Sequence, residues 1–149
     1  MMKPRIPTRI MLADDDQDYP RLVQEAFKEL GIPNEVRTVE NGEELLDYLL
    51  RRGKYQDPKD SPRPGLIFLD LNMPKKNGFQ ALQEIRSNPN VRQIPVIMLT
   101  ISNFQSDIQH SYTLGANSFV TKPFEFDDLV KALRHFQQYW FETVQLPTS

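Results

Sequence analysis

The chain has 149 residues, the length of one domain, and is 39% hydrophobic and 26% charged, which excludes a disordered chain. Its 18 basic and 20 acidic residues give a net charge of −2, without the basic footprint that nucleic-acid binding requires, and no apolar run reaches the roughly 20 residues of a membrane span. With no cysteine there is no disulfide, thiolate metal site or thiol nucleophile.

The basic start, Met1 to Arg5, leads only into a short apolar stretch and then acids, so it does not read as a signal peptide, and the cytoplasm is the expected compartment. Residues 9–13 form a first predicted strand, stopped by Asp14-Asp15-Asp16. Asp18 is placed to cap a helix with Pro20 in its first turn; Leu22, Val23, Ala26, Phe27 and Leu30 share a face, and Gly31 ends it. Residues 35–39 make a second, more polar strand, expected at an edge. Asn41-Gly42 turns into a helix carrying Leu45, Leu46, Leu49 and Leu50.

Residues 53–65, with Pro58, Pro62 and Pro64, read as a long loop without regular structure. The unbroken apolar run 66–69 fits a central strand buried on both faces, and Asp70 ends it. A Pro-Gly loop, 73–78, leads to a helix with Phe79, Leu82 and Ile85, closed by Asn88-Pro89-Asn90. Residues 94–99 form a fourth strand ending at Thr100, and a helix over 105–114 stops at Gly115. A fifth strand over 117–121 ends at Lys122-Pro123, and a last helix runs from Phe126 to beyond Phe136. His110 and His135 lack the spacing of a metal pair and are expected on helix surfaces.

Strands alternating with helices predict an α/β domain of five βα units with right-handed crossovers. Such a sheet presents its ligands at the carboxyl ends of the strands. Asp14, Asp15, Asp70, Thr100 and Lys122 all stand there. Each alone has an ordinary explanation, since Asp favours turns and caps. Together, carboxylates a few ångströms apart repel one another and call for a cation. A hard oxygen set without His or Cys suits Mg²⁺ or Mn²⁺. Lys122 and Thr100 could contact phosphoryl oxygens, and a carboxylate is a competent nucleophile toward phosphorus. Asp70, ending the most apolar run, is the candidate acceptor.

Four segments carry a family resemblance: Met11-Leu12-Ala13-Asp14-Asp15-Asp16, residues 69–78 from Leu69-Asp70 to Asn77-Gly78, Val96-Ile97-Met98-Leu99-Thr100, and residues 115–124 through Thr121-Lys122-Pro123-Phe124. In this order they resemble the receiver domain of two-component response regulators. The resemblance implies a flavodoxin-like doubly wound (βα)5 fold with strand order 2-1-3-4-5, spanning residues 8–136. It further implies that Asp70 accepts a phosphoryl group from a sensor histidine kinase. Asp15, Asp70 and the backbone carbonyl of Asn72 would ligate Mg²⁺, with Asp14 holding a metal-bound water. Lys122 would pair with Asp70 and then with the phosphate. Thr100 would swing inward, admitting the switch aromatic, here Phe119, which lacks the hydroxyl of the tyrosine that many relatives carry.

Residues 61–65 and 139–147 are similar to the small single-domain regulators partnered with cyanobacterial phytochromes, red and far-red light-sensing histidine kinases. That implies a phytochrome-type kinase partner, no effector domain, and a tail, 137–149, that forms a homodimer. Independently, Phe136, Tyr139, Trp140 and Phe141 cluster at a helix end, as interface aromatics do. The alternative is a tail folded back over its own domain. Without an effector, output is expected through a protein surface, to a downstream protein that the chain does not specify.

Two other functions share this architecture. An aspartyl phosphatase needs a second aspartate two residues after the nucleophile as general acid, where this chain has Asn72. A flavin or nucleotide binder needs a first loop whose amides cradle phosphate, and three aspartates there would repel it. A receiver acting only as an inert interaction module is a third reading.

Overall fold

The structure, a computed structural model, describes residues 9–147. The expected domain start at residue 8, the Met1 to Arg5 segment and the last two residues of the tail lie outside the described residues. Five strands, β1 (Ile10–Ala13), β2 (Val36–Val39), β3 (Leu66–Leu69), β4 (Val96–Thr100) and β5 (Ser118–Thr121), alternate with five α-helices. The helices are α1 (Tyr19–Glu29), α2 (Gly42–Leu50), α3 (Gly78–Ser87), α4 (Gln105–Thr113) and α5 (Phe126–Phe136).

All strands are parallel in the order β2-β1-β3-β4-β5, the flavodoxin-like arrangement expected, with the polar strand β2 at one edge. Alternate residues of the inner strands serve opposite layers, which is why these strands read as unbroken apolar runs. Met11, Ala13, Ile67, Leu69, Val96 and Met98 pack with Leu45, Leu46 and Leu49 of α2 and Leu82 and Ile85 of α3. Ile10, Leu12, Leu66, Phe68, Ile97 and Leu99 pack with Val23 and Phe27 of α1 and Leu129 and Leu133 of α5. The four residues of β3 are fully enclosed, and burial of each large apolar side chain contributes about 1.5–3 kcal/mol. That anchoring fixes the backbone from which Asp70 projects.

Two local expectations differ from the structure, and the tail takes a form that the sequence left open. Asp18 sits at the N-cap of α1, but its carboxylate accepts no helix N–H. Asp16 does that work, its Oδ1 accepting from the N–H of Asp18 at 2.8 Å and of Tyr19 at 3.4 Å. Gly53–Tyr55, inside the loop read as irregular, closes a 3₁₀ turn. There the Tyr55 hydroxyl donates to Glu44 Oε1 at 2.7 Å, and the Ser61 hydroxyl donates to the Tyr55 carbonyl at 2.9 Å. The loop is thereby tied down over α2, where the Tyr48 hydroxyl also donates to the Pro62 carbonyl at 2.7 Å. Finally, α5 runs directly into a π-helical segment, Gln137–Thr143. Phe136, Trp140 and Phe141 are partly buried against the α1/α5 core layer, with the Phe136 ring 5.3 Å from Phe68, while Tyr139 is 53% exposed. The tail therefore covers its own domain in part and leaves one aromatic outward.

Candidate functional site

The sheet itself aims the polar groups. Parallel hydrogen bonding continues one residue beyond the strands: the Asp70 N–H donates to the Ala13 carbonyl at 3.0 Å, Asp14 N–H to Val39 at 3.0 Å, and Lys122 N–H to Thr100 at 2.7 Å. Groups held this way are more rigidly placed than groups on free loops. The start of α3 presses on the same point. Asn77 and Gln80 form a reciprocal capping box, and a Cβ on Gly78 would lie 2.3 Å from the Asp70 carbonyl oxygen. Only a residue without a side chain lets the helix approach so closely.

Asp14, Asp15 and Asp70 each offer a carboxylate oxygen within 4.8 Å of the others, with Asp14 and Asp70 buried and Asp15 exposed. Lys122 reaches into the cluster, its Nζ 2.7 Å from Asp14 Oδ2 and 3.2 Å from Asp70 Oδ2. The Asp70 contact is an aligned hydrogen bond; that to Asp14 Oδ2 has the distance of one but lies off its axis, so charge pairs these two rather than direction. Asp14 Oδ1 accepts from the N–H of Asp16 at 2.9 Å. Asn72 is exposed beside the cluster, its N–H 3.4 Å from Asp70 Oδ1.

Burial raises the Asp14 carboxyl from its ordinary 3.8 to about 6, despite the opposing pull of Lys122 and the Asp16 N–H, and the Asp70 charge adds to the rise. For Lys122, burial works against the charged form, but contact with Asp14 and the charges of both carboxylates outweigh it and hold the ammonium above its ordinary 10.5. Among the described residues, three carboxylates against one ammonium leave negative charge unbalanced, and the donors are all hard oxygens. This donor set fits a divalent cation such as Mg²⁺ or Mn²⁺.

Thr100 is fully buried, and its hydroxyl has no hydrogen-bond partner among the described residues. Phe119 is partly buried in the α2/α3 core layer, paired with Met98 across β4 and β5 while Thr100 pairs with Thr121. Phe119 and Thr100 are thus diagonal neighbours on one face of the sheet. Of the seven residues singled out in the sequence, Asp14, Asp15, Asp70, Asn72 and Lys122 follow the carboxyl ends of their strands, Thr100 ends β4, and Phe119 lies within β5, two positions before Thr121. His110 and His135 are exposed away from the cluster, His110 edge-on to Phe79 at 4.6 Å.

Two residues passed over in the sequence belong to this neighbourhood. Tyr19 is 2% exposed, and its ring centroid lies 4.7 Å from Lys122 Nζ. It falls three and four residues before Leu22 and Val23, a helical spacing that could have placed it on the buried face. Tyr112 of α4 accepts a hydrogen bond at its hydroxyl from the Phe119 N–H at 3.2 Å. No sequence pattern announces that contact.

The sequence of the response regulator receiver domain family matches residues 10–134. Response regulator Rcp1 of Synechocystis sp. is 40% identical over 143 residues, covering 96% of this chain and 95% of Rcp1. The phosphorylated cyanobacterial phytochrome response regulator RcpA is similar in structure, with a TM-score of 0.88 and 38% identity over 96% of this chain and 100% of RcpA. The Mn²⁺-bound form of Rcp1 gives a TM-score of 0.85 over 95% of this chain and 100% of that one. A fold, a carboxylate cluster and a match of this extent have one conclusion: the chain belongs to the response regulator receiver domain family.

Proposed function

We propose that this protein is a cytoplasmic single-domain response regulator, residues 8–136 with a tail 137–149, in which Asp70 takes a phosphoryl group from a sensor histidine kinase. The observation that carries the reading is the buried Lys122 ammonium, paired to both Asp14 and Asp70, beside the fully buried, unpartnered Thr100 hydroxyl. A structural ion pair needs neither the third carboxylate nor a hydroxyl left without a partner, which costs about 1–3 kcal/mol when buried.

Asp70 Oδ attacks phosphorus as the phosphorus–nitrogen bond of the donor phosphohistidine breaks. The electron pair returns to the imidazole, which takes a proton from solvent, and an aspartyl phosphate remains. Asp15, Asp70 and the carbonyl of Asn72 would hold Mg²⁺, or Mn²⁺, with Asp14 acting through a bound water. When bound, the cation offsets the charge of the carboxylates and of the incoming phosphoryl oxygens. Lys122 turns from the Asp70 carboxylate to a phosphoryl oxygen, and Thr100 gains the acceptor it lacks. Movement of Thr100 frees space on the face it shares with Phe119, so the aromatic follows inward. Phe119 carries no hydroxyl, so its switch is one of packing alone.

The changed surface lies around β4, α4 and β5. Ile101, Phe104, Tyr112 and Phe124 there are 60%, 70%, 50% and 64% exposed, a fitting contact for a downstream protein. Similarity to Rcp1 and RcpA supports a phytochrome-type kinase as donor. The exposed Tyr139, beside Trp140 at 5.1 Å, supports a homodimer through the tail.

Incubation with acetyl phosphate and Mg²⁺ tests the central step. Stoichiometric label that is lost in Asp70→Asn is expected; multiple turnover would indicate a phosphatase, and no label an inert module. For the tail, size-exclusion chromatography with light scattering is expected to give a dimer that becomes a monomer when residues after Gln138 are removed. A monomer unchanged by that truncation would refute the dimer.

A further inference from the structure

The Lys122 side chain is long and flexible, yet its task under the proposed function demands that the ammonium stay within reach of Asp70 while remaining free to pivot. An ammonium has three N–H donors. Asp14 and Asp70 lie on two sides of it at 2.7 and 3.2 Å. On a further side is the ring of Tyr19, its centroid 4.7 Å from Nζ. That distance lies within the range of about 6 Å over which a ring face attracts a cation.

Tyr19 also grips the backbone of the same stretch. Its hydroxyl donates to the Pro123 carbonyl at 3.0 Å, one residue beyond Lys122. Its ring meets Phe124 edge-on at 6.2 Å. The residue is 2% exposed at the first turn of α1, where Asp16 secures the N–H of Tyr19 and Asp18. One buried side chain therefore meets the Lys122 ammonium with its ring and the peptide one residue further on, Pro123–Phe124, with its hydroxyl.

We infer that Tyr19 is the positioning residue for Lys122, its ring face holding the ammonium against Asp70 and its hydroxyl securing the Pro123 carbonyl just beyond it. This rests on the reading of Lys122 as the group that meets the phosphoryl oxygens. A ring face suits the task better than a third carboxylate. It attracts the cation without adding negative charge where a phosphoryl dianion must arrive, and it imposes no single hydrogen-bond direction as the ammonium pivots.

The test compares Tyr19→Phe and Tyr19→Leu with the wild type, alone and combined with Lys122→Met. The first readout is the rate of label uptake from acetyl phosphate in Mg²⁺, under conditions where urea titration shows every variant folded. Tyr19→Leu is expected to slow uptake by roughly 2- to 30-fold, the span of a cation–π contact from exposed to desolvated. Tyr19→Phe keeps the ring and is expected to recover most of that loss. In the Lys122→Met background, Tyr19→Leu is expected to cost nothing further, because a residue acting through Lys122 has nothing left to position. An equal loss in both backgrounds, equal losses for Phe and Leu, or a Tyr19→Leu rate within twofold of wild type would each overturn the inference.

The second readout is the Lys122 side-chain resonance in ¹⁵N- and ¹³C-lysine-labelled protein. Its terminal groups are expected to show an upfield ring-current shift in the wild type and Tyr19→Phe that is absent in Tyr19→Leu. If the wild type takes no label at all, the proposed function has failed, and the ring-current shift alone decides whether Tyr19 holds the ammonium; a Lys122 signal unmoved by Tyr19→Leu would then overturn it.

Discussion

Replacing Lys122 by Met removes the cation that pairs with two buried carboxylates and leaves a side chain of similar length. At an effective dielectric of about 20, a charge 2.7 Å from Asp14 contributes about 6 kcal/mol of attraction, and one 3.2 Å from Asp70 about 5 kcal/mol. Desolvation of the three groups offsets most of this gross attraction. What survives when one partner of a buried pair is removed is about 3–5 kcal/mol, because the other partner stays buried and uncompensated. Lys122→Met in EDTA at pH 7.5 is therefore expected to lose about that much stability in urea titrations followed by far-UV circular dichroism. The gap should depend on pH in a definite sense. Asp14, already raised to about 6 with Lys122 present, is pushed higher without it. A carboxyl raised in the folded state contributes stability at low pH that is lost as pH rises through its folded value. The difference between variant and wild type should thus shrink toward pH 5 and widen toward pH 8. A loss below about 1 kcal/mol, the value of an exposed pair, or a loss indifferent to pH would refute the reasoning.

Metal-free wild type should itself gain stability as pH falls from 7.5 toward 4, by at most about 3 kcal/mol for a carboxyl raised from 3.8 to about 6, and Asp14→Asn should lack this gain; urea titrations across that range in EDTA check both. Thr100→Val should raise stability by about 1 kcal/mol, because a buried hydroxyl without a partner gives way to a methyl group. The same variant should take the label but no longer shift the ring resonances of Phe119 on phosphorylation, which NMR of ring-labelled Phe reads directly. Gly78→Ala should cost about 3 kcal/mol, the upper part of the overpacking range, since its Cβ would meet the Asp70 carbonyl oxygen at 2.3 Å. It should also slow label uptake at Asp70; unchanged stability and rate would show that α3 does not brace the acceptor.

The parts of this molecule that were legible in the sequence are those governed by periodicity and strand ends. Leu66–Leu69 faces helices on both sides, so it is apolar at every position, and Asp70 is conspicuous as the residue that ends it. Asp14, Thr100 and Lys122 follow from the same rule at their own strands. The rest depends on contacts between segments distant in the chain. Tyr19 looks like one more apolar residue of an amphipathic helix, and only the fold brings it to Lys122, more than one hundred positions away. Asp16 and Asp18 compete for the same helix end, and the backbone conformation of Asp18 decides for Asp16. The turn Gly53–Tyr55 is stabilised by Glu44 and by Tyr48, which stacks edge-on to Tyr55 at 5.1 Å, so composition alone reads it as loop. The aromatic tail was open between two arrangements because its own domain and a second copy offer it the same apolar chemistry.

The central claim is that Asp70 forms an aspartyl phosphate. Treating the phosphorylated protein with borohydride reduces the acyl phosphate to the alcohol, converting only the phosphorylated aspartate to homoserine, and peptide mass mapping then identifies the residue. Conversion at Asp70, dependent on Mg²⁺ and absent from the Asp70→Asn protein, is the result predicted. Conversion at Asp14 or Asp15 instead, or none in fully folded protein supplied with donor and Mg²⁺, would contradict the account.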